Sequence, residues 1–409
     1  MTLLSWLNRD GKLLLASNIT RMFGFGFLSI ILAIYLSSIG YDELSTGIII
    51  TATLISSTFF TLFASIYGDR LGRRKTLILF SGLMSISGTI FAFTTDYYLL
   101  LLAALIGFIN PTGVNFGALI SIEHAIIPQT SSDKKRNYAF ALFSTVGTFA
   151  MATGTLMAKI PEFLRIEYGF DPVNSFQPLF MFYALTGLIL IGIYSALSRN
   201  AEVQTSTPIK KVTLSPETKS IVKKLSLLFG MDSFAGGFVI HSWVAYWFFA
   251  KFAVPENEIA DIFFIAGIVT AISYMLAAKI ANKIGLVKTM VFTHIPANML
   301  LIPFALVPSL HLAIAFFLVR MFFSNMDVPI RQSYVVAIVK PEERTAVTGI
   351  TNLSRNIPFS ASPTLVGYIF QFVSLSFPFI FGGTLKTIYD ILLYRSFKKI
   401  KPPEEQQQY

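Results

Sequence analysis

The chain has 409 residues, of which 54% are hydrophobic and 13% charged, with no cysteine and a formal net charge of +10. A mean hydropathy of +0.65 leaves too few polar side chains to cover a water-soluble fold, so soluble classes are excluded and the chain belongs in a membrane. The absence of cysteine excludes disulfide and thiol chemistry.

Apolar segments of about 20 residues or more, enough to cross hydrocarbon at 1.5 Å per residue, recur at residues 13–39, 44–67, 76–94, 97–120, 138–159, 177–198, 224–250, 259–281, 288–307, 310–335, 346–373 and 375–394. The pattern predicts an all-α membrane protein with twelve transmembrane helices. Its first span is long enough to persist as helix 1, so no cleavable signal is expected. The longest polar stretch, with Thr205-Ser206-Thr207-Pro208 and Ser215-Pro216-Glu217, divides the spans six and six. The expected organisation is an N-terminal bundle over 1–199, a cytoplasmic linker over 200–222, a C-terminal bundle over 223–396 and a tail over 397–409. Of the 32 lysines and arginines, twenty-four fall in loops on the side of the N-terminus, three (Lys159, Arg165, Lys251) on the other side, and five (Arg21, Arg320, Arg331, Arg355, Lys386) within spans. Cytoplasmic loops retain cations, so both termini are cytoplasmic. Topology and attraction to anionic lipid account for the positive charge, and no nucleic-acid partner is expected.

Between spans 2 and 3 stands Gly68-Asp69-Arg70-Leu71-Gly72-Arg73-Arg74-Lys75. Two glycines permit a tight turn, and four cations in six positions keep it out of hydrocarbon. Its Asp-Arg-x-Gly-Arg-Arg pattern resembles the signature loop of the major facilitator superfamily of secondary transporters. Ala281-Asn282-Lys283-Ile284-Gly285-Leu286-Val287-Lys288-Thr289, between spans 8 and 9, reads as a worn copy in which Gly285 aligns with Gly72. Met326-Asp327-Val328-Pro329-Ile330-Arg331-Gln332-Ser333-Tyr334, with Glu343-Arg344-Thr345 and Gly349-Ile350-Thr351-Asn352, resembles a broad group of prokaryotic members. The resemblance covers nearly the whole chain and names no substrate.

What the resemblance implies is two pseudo-symmetric six-helix bundles with spans 1, 4, 7 and 10 lining a central cavity, and transport by alternating access. It makes Gly68, Asp69, Arg70, Gly72, Arg73 and Arg74 a cytoplasmic gate. There Asp69, with Arg73 one turn on, braces against the start of span 11 near Thr345 to Thr348. Ser65 stands where the family carries Gly. Span 4 has Ala103 or an apolar neighbour where drug/proton antiporters carry Arg, and span 5 offers Gly147 and Gly154 in place of their Gly-Pro pair.

Ionisable groups at membrane depth are costly and face a partner or a cavity. Arg21 and Asp232 hold equivalent places in spans 1 and 7, about 12 Å in at 1.5 Å per residue, and are expected to pair. In span 10, Arg320 is followed by Asp327 and Arg331, which share a helix face, with Pro329 bending the helix between them. Span 4 has an irregular centre at Asn110-Pro111-Thr112-Gly113, then Asn115 and Glu123-His124. Matching interruptions in the two halves mark a binding site. Asn352 and Arg355 in span 11 and His241 in span 7 complete the substrate and coupling candidates. Trp243 and Trp247 read as an aromatic belt, and Lys386 with Asp390 as a local pair in a peripheral span 12. A carboxylate movable in pKa suits proton coupling, which Asp232, Asp327 and Glu123 satisfy.

The chain carries no Gly-x-Ser-x-Gly, phosphate loop or Asp-rich pair, so no catalytic residue is expected and an enzyme is disfavoured. No filter-like repeat suggests a channel. The histidines lack ligand spacing, so no metal is expected. A receptor or scaffold on the same fold would lose its cavity charges, and these are present. The expectation is therefore a monomeric secondary transporter of the cell membrane, moving a small-molecule substrate without a cofactor on a proton or ion gradient. A slight cationic excess in the spans favours an anionic or polar substrate. Drug or metabolite efflux and nutrient or organic-anion uptake both fit.

Overall fold

Hydrocarbon offers the backbone no hydrogen-bond partner, so spans must satisfy their N–H and C=O groups internally as helices. The computed structural model describes residues 6–132, 135–202 and 214–400, among which lie seventeen α-helices and no strand. In order these are α1 (Arg9–Ser38), α2 (Glu43–Leu71), α3 (Arg73–Phe93), α4 (Tyr97–Ile106), α5 (Ala118–Ile126), α6 (Arg136–Thr155), α7 (Ile160–Tyr168), α8 (Gln177–Ser195), α9 (Pro216–Gly236), α10 (His241–Phe252), α11 (Glu256–Ile284), α12 (Leu286–Met299), α13 (Leu301–Leu306), α14 (Leu310–Ser324), α15 (Asp327–Ala337), α16 (Arg344–Phe372) and α17 (Phe377–Phe397). Eight helical stretches are long and apolar enough to cross a membrane, and α4 and α14 are shorter apolar helices. Adding α16, with Pro358 and Pro363 inside it, and α17 fills the twelve expected positions.

Spans 4, 7 and 10 are interrupted. Span 4 unwinds between α4 and α5, where Gly113 and Gly117 adopt φ of 75° and 117°, values that side chains with a Cβ disfavour. Span 7 breaks between α9 and α10 at Gly237–Val239, and span 10 between α14 and α15. The last break precedes Pro329. That residue is the third of α15, a first-turn position where proline has no helical hydrogen bond to lose, so the bend lies upstream of the proline expected to cause it.

The chain forms two compact units, one from Met1–Thr207 with Ile240–Phe264 and one from Pro208–Val239 with Ile265–Tyr409. In the first, α1 lies along α6 and α3 along α8. Small residues set the α1–α6 approach. A Cβ on Gly26 would stand 2.3 Å from the Met151 carbonyl oxygen, and one on Gly154 would stand 2.1 Å from that of Phe23, so each glycine admits the other helix's backbone. Outside this seam, Tyr35, Phe91, Phe176 and Phe180 interlock through ring pairs 4.7–6.5 Å apart. Ion pairs tie α7 and its neighbours to α11, Arg165 to Glu256 at 2.5 Å and Lys159 to Asp261 at 2.7 Å. In the second unit α9 lies on α16 and α12 on α17, around a core that includes Phe229, Met290, Tyr334, Tyr389 and Leu393.

The worn loop repeat has a structural counterpart. Gly72 and Gly285 precede α3 and α12 with φ of 94° and 88° and no side-chain cap. At the first, Glu202 supplies the missing acceptor, taking the Arg73 and Arg74 backbone N–H groups at 2.7 and 3.1 Å. Glu343 likewise accepts from Thr218 Oγ1 and Ser215 N at the start of α9, both at 2.6 Å. These donors, the Thr218 hydroxyl foremost, hold its carboxyl below the ordinary glutamate range.

Replacing Gly154 by Val is expected to force α1 and α6 apart. Overpacking of this kind costs about 1–3 kcal/mol, so the thermal midpoint of the detergent-purified protein should fall by several degrees; an unchanged midpoint would show that the seam has slack.

Candidate functional site

Each unit gathers buried charge around its first span, and the partners come from within the unit. In the first, Arg21 on α1 and Glu123 on α5 face each other at 2.7 Å, with side chains 1% and 0% exposed. Ser17 Oγ and Tyr194 OH donate to Glu123 Oε1 at 2.6 and 2.7 Å. The other guanidinium nitrogen donates to Asn18 Oδ1 at 3.2 Å and to Asn115 Oδ1 at 3.5 Å, while the Asn18 amide donates to the Phe143 carbonyl at 2.7 Å. Opposite charge and hydrogen bonds replace the water that this buried carboxylate and guanidinium give up. A narrow crevice beside them is lined by Arg21, Ser57, Phe108, Asn110 and Phe116.

Asn110 builds the unwound segment rather than opening onto that crevice with its amide. Its Nδ2 donates to the Val114 carbonyl at 2.7 Å, and its Oδ1 accepts from Thr112 N and Thr112 Oγ1 at 2.9 and 2.7 Å. His241 closes the same segment from α10. Its Nδ1 lies 3.4 Å from Ser29 Oγ, and a Cβ on Gly113 would stand 2.0 Å from that nitrogen. Ser242 N donates to the Pro111 carbonyl at 3.1 Å, so the start of α10 is seated on unwound backbone.

In the second unit Asp232 on α9 meets three cations. Lys386 Nζ of α17 lies 2.6 Å from Oδ1, Arg355 Nη1 of α16 lies 3.2 Å from Oδ2, and Arg331 Nη1 of α15 lies 3.6 Å from Oδ2. Arg331 also pairs with Asp327 one turn away, as their spacing predicts. Arg331 and Arg355 both rest over the Phe229 ring, at 5.7 and 5.8 Å, where the face of the ring favours cations. Arg320 is buried and pairs with no carboxylate among the described residues; its Nη1 donates to Met321 Sδ at 3.5 Å, and its Nε has no partner among them.

Several expectations need correction. Arg21 and Asp232, expected as partners, each meet counter-charges inside their own unit. Lys386 and Asp390 share a face of α17 but not a bond: Lys386 reaches Asp232, and Asp390 Oδ1 lies 2.9 Å from His294 Nδ1. Both are buried, so span 12 is not merely peripheral. Trp243 and Trp247 are fully buried, not a lipid-facing belt. Asn352 is exposed on α16 and joins neither cluster. Sequence reading passes over Asn18, Tyr194, His294 and Asn298, which carry no fixed charge and so do not stand out in apolar spans.

At the loop, Asp69 accepts from Arg73 Nε at 2.8 Å, and Arg73 Nη1 donates to the Ala125 carbonyl at 3.1 Å. Arg74 donates to the Ser195 carbonyl, Arg70 is exposed and Gly68 is buried. Lys134, Lys210, Lys211 and Lys401, counted among the inner cations, lie outside the described residues, as do residues 203–213 of the linker and 401–409 of the tail.

Residues 14–321 and 225–408 match the family model described as Major Facilitator Superfamily. A curated relative, the Uncharacterized membrane protein YJR124C of Saccharomyces cerevisiae, is 27% identical over 419 residues, covering 94% of this chain and 93% of its own. That relative is eukaryotic and lends the expected prokaryotic grouping no support. Among solved structures, the nucleoside transporter NupG aligns with a TM-score of 0.71 at 12% identity, over 96% of this chain and 100% of its own. The D-xylose-proton symporter gives 0.71 at 14% over 96% and 98%, and a bacterial homolog of the human lysosomal transporter Spinster gives 0.67 at 16% over 94% of each. At these identities the likeness is one of fold.

Replacing Glu123 by Gln leaves Arg21 buried without its counter-charge. Removing one partner of a buried pair costs about 3–5 kcal/mol, so the midpoint should drop sharply, and Arg21→Met added to Glu123→Gln should recover part of the loss. A single variant as stable as the wild type would mean that water already neutralises the guanidinium.

Proposed function

Since the chain belongs to the Major Facilitator Superfamily, whose fold it shares with solved membrane transporters, we propose that it is a proton-coupled secondary transporter. It moves a small polar or anionic solute across the cell membrane by a rocker-switch cycle, in which access to the site alternates between the two faces. It acts as a monomer in the bilayer, with cytoplasmic termini and without a cofactor or nucleic acid.

Support comes from one arrangement, the gathering of buried charge at interrupted spans. Glu123 follows the break in span 4, Asp232 precedes the break in span 7, and Asp327 opens the helix after the break in span 10. Unwound backbone beside charge is where transporters hold solutes and ions. Asp232 lies within ion-pair distance of three cations at once, so losing one leaves two and costs less than breaking an isolated pair, and a proton on a carboxylate would free a guanidinium for a solute anion. Arg320, buried with no carboxylate facing it among the described residues, favours an anionic solute for the same reason. The proton in the name of the xylose symporter supports the choice of coupling ion. Asp69, with Arg73 beside it, serves as the cytoplasmic gate.

The test is uptake and efflux in proteoliposomes containing a pH-sensitive dye, against a panel of mono- and dicarboxylates, phosphorylated metabolites, sugars and nucleosides. Wild type should show solute-driven proton movement, and Asp232→Asn and Asp327→Asn should each slow it at least about tenfold, equal to about 1.4 kcal/mol in the barrier. Solute transport with no proton movement, or variants that match wild type, would overturn the coupling assignment. Asp69→Asn loses an exposed ion pair worth well under about 1 kcal/mol. It should therefore insert and fold normally yet transport several-fold more slowly; unchanged transport would remove the gate role.

A further inference from the structure

The Asp232 cluster continues into a polar group on α12 and α17. His294 Nδ1 lies 2.9 Å from Asp390 Oδ1, and the Asn298 amide donates to Asp390 Oδ2 at 2.9 Å and stands 3.2 Å from His294 Nδ1. The side chains of His294 and Asp390 are 5% and 1% exposed. A pair that only clamped two helices together would serve best with Arg or Lys, which keep their charge in place. Imidazole is the side chain that takes up and releases a proton near neutral pH. Asp390 is one helical turn beyond Lys386, whose Nζ lies 2.6 Å from Asp232 Oδ1, so the imidazole reaches the carboxylate at the break in span 7 by way of two residues that share a face of α17 without bonding each other.

The groups around the imidazole can be taken element by element. From α17 come Asp390, Lys386 and the Tyr389 ring, whose centroid is 6.2 Å away. From α15 come Asp327 and its partner Arg331. On α14 Arg320 bonds Met321 Sδ rather than the imidazole, α13 carries no titratable residue, and Asp232 of α9 lies within electrostatic reach. The carboxylate of Asp390 stands against the imidazole at 2.9 Å. Apart from Arg320, the fixed charges balance: Asp232, Asp327 and Asp390 against Arg331, Arg355 and Lys386. The protonation of His294 is then the variable on which the balance of this network turns.

We propose that His294 and Asp390 form a proton-binding site, and that its occupancy sets how firmly Lys386 holds Asp232. The inference rests on the proton-coupled reading above and gives that proton a seat. With a neutral imidazole, the Asp390 carboxylate draws on Lys386 in competition with Asp232. A proton taken from water onto the imidazole nitrogen supplies Asp390 with its own cation and leaves Lys386 to Asp232; release of that proton to water reverses the shift. No other bond is made or broken.

The chain has only four histidines, so full-length protein labelled with 15N-histidine in lipid bilayers gives a short NMR spectrum in which His294→Gln identifies the resonance. The His294 signal should pass from imidazolium to neutral between about pH 5 and pH 8. Asp390→Asn should lower its midpoint by about one unit or more, a tenfold weaker hold on the proton, while Asp390→Glu keeps the midpoint near that of wild type. Lys386→Met should raise it. A single protonation state across the range, or a midpoint indifferent to Asp390→Asn, would overturn the site; a midpoint indifferent to Lys386→Met would overturn its link to Asp232. The measurement needs no solute, so its failure leaves the transport reading standing, and failure of the transport assay leaves this result intact.

Discussion

Asp232 sits where an ionised carboxylate is expensive, and the second unit is arranged around meeting that expense. One cation would neutralise it, yet Lys386, Arg355 and Arg331 approach from three different helices. Their surplus is in turn answered by Asp327 and the Phe229 ring. Such a network holds α9, α15, α16 and α17 in register while leaving each bond replaceable. Removing a residue from a simple buried pair strands a charge, whereas removing one from this network redistributes it.

The first unit solves the same problem with the signs reversed. There the buried charge on the first span is a cation, Arg21, and a single carboxylate, Glu123, meets it among the hydroxyls of Ser17 and Tyr194. Its helices are packed through glycine at the α1–α6 seam, and its unwound segment is held by Asn110 and seated under His241. The first unit thus meets its buried charge with one pair and the second with a network.

Much of the fold is legible without any coordinate. Hydrophobic length and the one-sided placement of cations are one-dimensional signals, and the positive φ of both Gly72 and Gly285 agrees with the aligned loops. The charged members of the site are legible too, because Arg21, Glu123, Asp232, Asp327, Arg331 and Arg355 stand out in apolar text. Their pairing is not. Arg21 and Asp232 have opposite signs at matching depth, which makes a pair plausible, but partner choice depends on helix rotation, and only the packed helices set that. Lys386 and Asp390 show the same limit, since residues one turn apart can bond each other or reach outward side by side. His294 lacks the spacing of a metal ligand, and nothing in its local sequence points to Asp390, 96 positions away.

The central claim is that these charge networks belong to a machine that alternates access and does so under control of protons. The cysteine-free chain permits clean placement of spin-label pairs, one at Tyr138 and Ile284 on the face expected to be cytoplasmic and one at Tyr98 and Val373 on the face expected to lie outside, all exposed. Double electron–electron resonance in lipid nanodiscs at acidic and alkaline pH should find two distances for each pair, with populations that move in opposite senses at the two faces, and Asp232→Asn should abolish the response to pH. A single, unmoving distance at both faces under every condition would contradict the account.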